Sequence, residues 1–151
     1  PNWDWSWEHI SLNRNVTCKY IQDNINRRWN WNYLSCNHNI TWDFVKNNLD
    51  KRWDWSALSR HQNITWDIVQ ANPDAKWDYA YLSVNPNITW EIIQANPDKN
   101  WDWGYISMNP NITWEIVQNN PNIKWQCSML CKNKFTLQKK LIEEQCRKEW
   151  K

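Results

Sequence analysis

Glycine is almost missing from this chain: Gly104 is the one example in 151 residues. Turns and helix ends built on glycine are therefore excluded nearly everywhere. The 23 asparagines are the candidate substitutes, because asparagine tolerates turn and helix-end backbone. Long apolar runs are missing too. No stretch approaches the ~18 residues that a membrane-crossing helix needs, so no membrane role is expected. The first residues lack the basic stretch and apolar core of a secretory leader, so secretion is not expected. A large surplus of either charge is absent: 18 Lys and Arg stand against 16 Asp and Glu, a net +2. That balance argues against a general polyanion binder, since phosphate affinity follows the surplus of cations.

Tryptophan is what the chain has in excess, with 16 copies. Trp5, Trp29, Trp53, Trp77, Trp101 and Trp125 fall 24 residues apart, and so do Trp42, Trp66, Trp90 and Trp114. A fixed period of this length marks a repeat array, in which each repeat buries its apolar face on its neighbours. Repeats begin near 5, 29, 53, 77 and 101, with a partial one at 125. Because Pro1 lies inside a repeat, further residues are expected upstream. The organisation read here is a tryptophan-rich repeat region over 1–131 followed by an amphipathic segment over 132–151.

Each repeat divides in two. Pro73, Pro86, Pro97, Pro110 and Pro121 each follow an Asn, and a Trp stands four residues beyond each of them. Thr41, Thr65, Thr89 and Thr113 precede a Trp and an acid, the pattern of a helix N-cap with a favourable charge in the first turn. The Asn before each Pro marks a stop. A second helix is expected from about Trp101 to Met108, with Trp101 and Tyr105 on one face. Helices this short do not persist alone, so burial of the ten periodic indoles between repeats must hold them. The fold class is therefore an all-α solenoid of short helix pairs. The alternative is a β-containing, leucine-rich-repeat-like solenoid, since Ile88, Trp90 and Ile92 also alternate with period two. From Phe135 to Trp150 the stripe Leu137, Leu141, Ile142, Cys146 and Trp150 predicts an amphipathic helix that caps the stack.

The phrase from Asn85-Pro86-Asn87-Ile88-Thr89-Trp90-Glu91 to Trp101-Asp102-Trp103 resembles the tryptophan-rich repeats of giant, mimivirus-like DNA viruses. The likeness covers roughly 5–131 and is best over 77–124; the ending Cys146-Arg147-Lys148-Glu149-Trp150 is also similar. Early repeats depart from it: Leu49 replaces a Pro, Arg14, His38 and Gln62 replace the other Pro, and Cys18 replaces a Trp. The resemblance implies a viral origin and a location in host cytoplasm or virion. It implies no reaction.

Other motifs carry little chemistry. Five Asn-x-Thr sequons at Asn15, Asn39, Asn63, Asn87 and Asn111 follow the repeat, so Asn is expected to shape a turn and Thr to cap a helix, without glycosylation. Cys18, Cys36, Cys127, Cys131 and Cys146 are odd in number and off the repeat spacing, which fits reduced thiols in apolar slots. A metal site of Cys127, Cys131 and Cys146 is conceivable, yet no CxxC pair or nearby His completes the usual zinc set, and no metal or cofactor is expected. His9, His38 and His61 are isolated substitutions. Ser11, Ser35, Ser59, Ser83 and Ser107 recur once per repeat, as a structural residue does and a nucleophile does not.

Binding is the expected role. The fourth and eighth places of each repeat vary while the frame stays fixed: Glu8 with Leu12, Asn32 with Cys36, Ser56 with Arg60, Ala80 with Val84, and Gly104 with Met108. They form a candidate stripe for an unknown protein partner. A non-enzymatic interaction scaffold is favoured over a single-stranded nucleic-acid or nucleotide binder that stacks bases on indoles. Against the binder, most indoles are expected to be buried, and no cation column is expected at the repeat spacing. A self-assembling array, joined through an open N-terminal face, is the third class.

Overall fold

The structure, a computed structural model, describes residues 6–133. The expected capping helix over Phe135–Trp150, the periodic Trp5 and the thiol of Cys146 lie outside the described residues. Among those described, there are eleven short helices and no strands, so the all-α expectation holds and the β-containing alternative does not. The chain divides into two compact units, Pro1–Asp78 and Tyr79–Lys151. The first contains α1 (Trp7–Ser11), α2 (Cys18–Asp23), α3 (Trp31–Leu34), α4 (Trp42–Lys46), α5 (Trp55–Ser59) and α6 (Trp66–Ala71). The second contains α7 (Tyr79–Leu82), α8 (Trp90–Ala95), α9 (Trp103–Met108), α10 (Trp114–Asn119) and α11 (Cys127–Leu130).

Caps decide where these helices begin. Thr41, Thr65 and Thr113 each accept the N–H three residues on, as the Thr-Trp-acid pattern predicts, and Thr17 does so before Cys18 and Lys19, without that pattern. Thr89 makes no such bond; its hydroxyl instead bonds Glu91 and holds that carboxyl below its ordinary range. The other set starts two residues later than expected. Asn30, Asp54 and Asp102 are the caps, so α9 begins at Trp103 and Trp101 precedes it. Trp101 and Tyr105 therefore do not share a helical face. Freed from the helix, the Trp101 indole donates to the Asn96 carbonyl at 2.8 Å. Trp29, Trp53, Trp77 and Trp125 do the same to Asn24, Asn48, Asn72 and Asn120.

Asparagine does replace glycine at helix ends, but not by adopting left-handed backbone. No described residue has positive φ. Asn72, Asn96 and Asn120 close their helices with φ between −134 and −129. Each side-chain amide donates to the carbonyl four residues back at 2.7 Å, which satisfies one of the helix's last acceptors.

Successive repeats within each unit are joined by buried polar groups. The serines expected to be structural, Ser11, Ser35, Ser59, Ser83 and Ser107, are all fully buried. The Ser35 hydroxyl donates to the Trp31 carbonyl at 2.8 Å and accepts the Asp54 N–H, 19 residues on, at 3.0 Å. Ser83 and Ser107 repeat this in the second unit with Asp102 and Gln126. A second ladder runs through Asn109, whose amide meets the carbonyls of Ser83, Asn85 and Ile88 at 2.8–3.2 Å. A third uses the sequon asparagines. Asn39 donates to Arg14 and Val16, Asn63 to His38 and Ile40, and Asn111 to Pro86 and Ile88. The sequon Asn thus joins repeats; the turn belongs to the Asn two places earlier, whose side-chain Oδ1 accepts the sequon N–H.

Aliphatic side chains fill the centre. Ile21, Leu34, Ile40, Val45, Leu58 and Ile64 in the first unit, and Leu82, Ile88, Ile106 and Ile112 in the second, are essentially inaccessible. Of the periodic indoles, Trp29, Trp42, Trp53, Trp90 and Trp114 are buried, whereas Trp66, Trp77, Trp101 and Trp125 are half-buried. Rings at the third place of one repeat meet the first place of the next edge to face. Trp7–Trp29 and Trp31–Trp53 are both 5.0 Å apart, Trp55–Trp77 is 5.6 Å and Trp103–Trp125 is 6.0 Å. Each such pair contributes ~0.5–1.5 kcal/mol beyond area burial.

Two substitutions separate these contributions. Trp114→Ala is expected to lower unfolding free energy by ~3–5 kcal/mol in urea titration. Ser83→Ala leaves the Asp102 N–H without its acceptor and is expected to cost ~1–3 kcal/mol. A Ser83→Ala effect within ~0.5 kcal/mol of zero would mean that the serine ladder does not hold the repeats together.

Candidate functional site

The candidate stripe is laid out by the caps. Because the first helix of each repeat starts at the third place, the fourth place falls in its opening turn and the eighth at its end. In the first unit Glu8, Leu12, Asn32, Cys36 and Arg60 are exposed and Ser56 is half-buried. Leu12 stands 54% exposed, an apolar group that nothing in the fold requires at the surface. In the second unit Ala80, Val84 and Met108 are half-buried.

Gly104 departs from the expected exposed stripe: it is buried. A Cβ added there would stand 2.8 Å from the Gln126 side-chain oxygen, so the place is small because the next repeat's cap covers it. The same geometry acts elsewhere. The Ser56 hydroxyl donates to Asp78 at 2.9 Å, and the Asn30 amide approaches Glu8 at 3.4 Å. The fourth place is thus constrained by the cap that follows it, while the eighth place is freer.

Cations require a second correction. They do recur at the repeat spacing: Arg28, Arg52, Lys76 and Lys124 each stand one residue before a first-place Trp, 24 or 48 residues apart, with Asp4 and Asn100 in the two remaining slots. All four are exposed. One place earlier, Arg27, Lys51 and Lys99 lie over the rings of Trp7, Trp31 and Tyr79 at 5.4–5.9 Å. This column was visible in the sequence and was obscured by the near-zero overall charge.

The thiols fall in varied surroundings. Cys18, in the place of a Trp, is half-buried and its Sγ donates to the Asn39 carbonyl at 3.2 Å, so a polar contact replaces ring packing. Cys36 is exposed; Cys127 and Cys131 are half-buried. No cluster of three or more metal-ligating side chains occurs among the described residues. No described helix is long and apolar enough to cross a membrane. The chain matches no family model, no curated protein and no solved structure.

His61 is the one histidine built into the frame. It stands where Asn37 and Asn109 stand in their repeats, and it copies their bonding. Its Nε2 meets the Asn37 carbonyl at 3.0 Å, and its Nδ1 accepts the Asn63 N–H at 3.2 Å. The second bond requires an unprotonated Nδ1. Burial, above all, lowers its pKa from the ordinary 6.5; the Asn37 carbonyl opposes this and the nearby His38 adds to it. A folded-state pKa below the unfolded value means that the unfolded chain takes up the proton first. The stability contributed by neutral His61 is complete above the unfolded value and is lost as pH falls through and below it. Melting temperature is therefore expected to drop between about pH 7 and about pH 5. His61→Asn, which keeps a donor and an acceptor in place, should flatten that drop; an unchanged pH profile would contradict the bonding described.

Proposed function

We propose that the chain is a non-enzymatic repeat scaffold that binds a protein partner through the first-helix surface of its first unit. One observation carries this. Places that recur between repeats are buried there, as Leu34, Ser35, Leu58 and Ser59 are, while variable places on the same helices are exposed, as Asn32, Cys36 and Arg60 are. Among these exposed places Leu12 and Cys36 add an apolar group and a thiol. Repeat arrays present extended surfaces of this kind to partners. The likeness to giant-virus repeats supports a viral origin, with a role as host-factor adaptor or virion component and a location in host cytoplasm or virion. Partner identity is set by side chains at the eighth place, where Leu12, Cys36 and Arg60 offer apolar, thiol and cationic groups in succession.

Affinity capture from host-cell extract, with the native chain and a Leu12→Asp, Arg60→Glu double variant compared by quantitative mass spectrometry, tests this. The variant should keep its melting temperature, because surface changes of this kind cost within ~0.5 kcal/mol. It should also lose at least about tenfold of a specific partner, as removing contacts at the centre of an interface does. Equal recovery by both proteins would overturn the reading.

A further inference from the structure

In the first unit, a cleft of about 670 Å³ opens between the turn after α4 and the turn after α6. Its volume is that of a small-molecule site. Lys46, Arg52 and Lys76 line it together with Leu49 and the half-buried Trp55. No described residue pairs with any of these three cations. Lys51 also lines it, but is held by Asp50 at 2.8 Å and lies over Trp31. Asp50 and Asp74 are the acids of the cleft, which leaves a local surplus of positive charge. A second depression of about 340 Å³, lined by Arg28, Trp31 and Glu8, shares Arg52 with it, so the cation column passes from one to the other.

Two departures from the repeat converge here. Lys46 stands where the equivalent residues are Gln22, Gln70, Gln94 and Gln118. Leu49 stands where the preceding repeat has Ile25 and later repeats carry Pro73, Pro97 and Pro121, and it is 54% exposed. Neither change serves the helix ends: Asn48 still donates to the Phe44 carbonyl and still receives the Trp53 indole. An added charge and an added apolar surface at one cleft, with the frame intact, are the marks of a site and not of relaxed packing.

We propose that this cleft binds a nucleotide, free or as part of a single strand. The ligand class follows from the lining. Unpaired cations suit phosphate, and Leu49 with the Trp55 ring offers an apolar and aromatic wall for a base. The cation column, continuing past Arg52 to Arg28, gives a strand's next phosphate a place to sit. An acidic peptide would use the cations but has no use for the ring.

The test uses the full chain and three probes at low salt: AMP by calorimetry, and a fluorescein-labelled oligothymidylate and a fluorescein-labelled polyglutamate by anisotropy. Saturable binding of AMP identifies a free nucleotide; binding of the oligothymidylate without AMP identifies a strand. Either supports the site if Lys46→Gln, which restores the residue of the other repeats, weakens it by about five- to tenfold with melting temperature unchanged. It should also lower the salt slope by about one. Leu49→Ala should weaken the base-bearing probes and spare polyglutamate. Binding of neither AMP nor oligothymidylate would overturn the proposal. So would affinities unmoved by either variant, or polyglutamate bound as tightly as oligothymidylate.

Discussion

A hydrogen-bonding group taken out of water must find a partner inside, and that requirement organises this protein. Short helices expose many backbone groups for each residue they order. Eleven of them, each four to six residues long among those described, leave an unusual number of N–H and C=O groups to satisfy. The chain meets that demand with a few side chains used again in each repeat. Ser closes its own helix and accepts from the next repeat. One Asn ends a helix and receives an indole. Another crosses to the carbonyls of the preceding repeat.

Packing and hydrogen bonding therefore divide the work. Ile and Leu supply the inaccessible centre, at roughly 1.5–3 kcal/mol for each fully buried side chain. The indoles flank that centre, and five of the periodic ones are buried. Their edge-to-face contacts contribute less individually than an orphaned buried N–H would cost, ~0.5–1.5 against ~1–3 kcal/mol. At the first place of the repeat tryptophan brings both a large apolar ring and a donor, and Trp29, Trp53, Trp77, Trp101 and Trp125 spend that donor on the asparagine carbonyl five residues back. Phenylalanine would supply the area and leave that carbonyl open.

Much of this was legible. The 24-residue spacing announced the array, and the Thr-Trp-acid pattern placed α4, α6, α8 and α10. The other helix was misplaced because Trp101 and Asp102 have helical neighbours, and periodicity alone does not reveal that Asp102 is a cap. Buried serine and sequon asparagine were recognised as structural, yet their partners were not. Bonds between residues 19 to 26 apart are set by how repeats stack, which local pattern does not encode. Gly104 was misread for the same reason, since Gln126 covers it from the following repeat. Of the candidate stripe, the exposed places in the first unit followed from variability alone. Lys46 and Leu49 carried a signal as departures from the repeat, but the meeting of the two with Arg52 and Lys76 depends on the fold.

The proposed function is placed on this frame and not in it. Recurrent polar side chains are occupied by the joints, so the surface open to the proposed partner and ligand is the variable ends of the first helices and the cation-lined turns. The central claim is that, within each unit, serine and asparagine fasten a repeat to the next. Hydrogen exchange of the Asn30, Asp54, Asp78, Asp102 and Gln126 amides, each donating to a buried serine hydroxyl, measures this directly. Those five, though outside regular helix, should exchange as slowly as the amides within the helices. Exchange as fast as that of exposed turns would contradict the account.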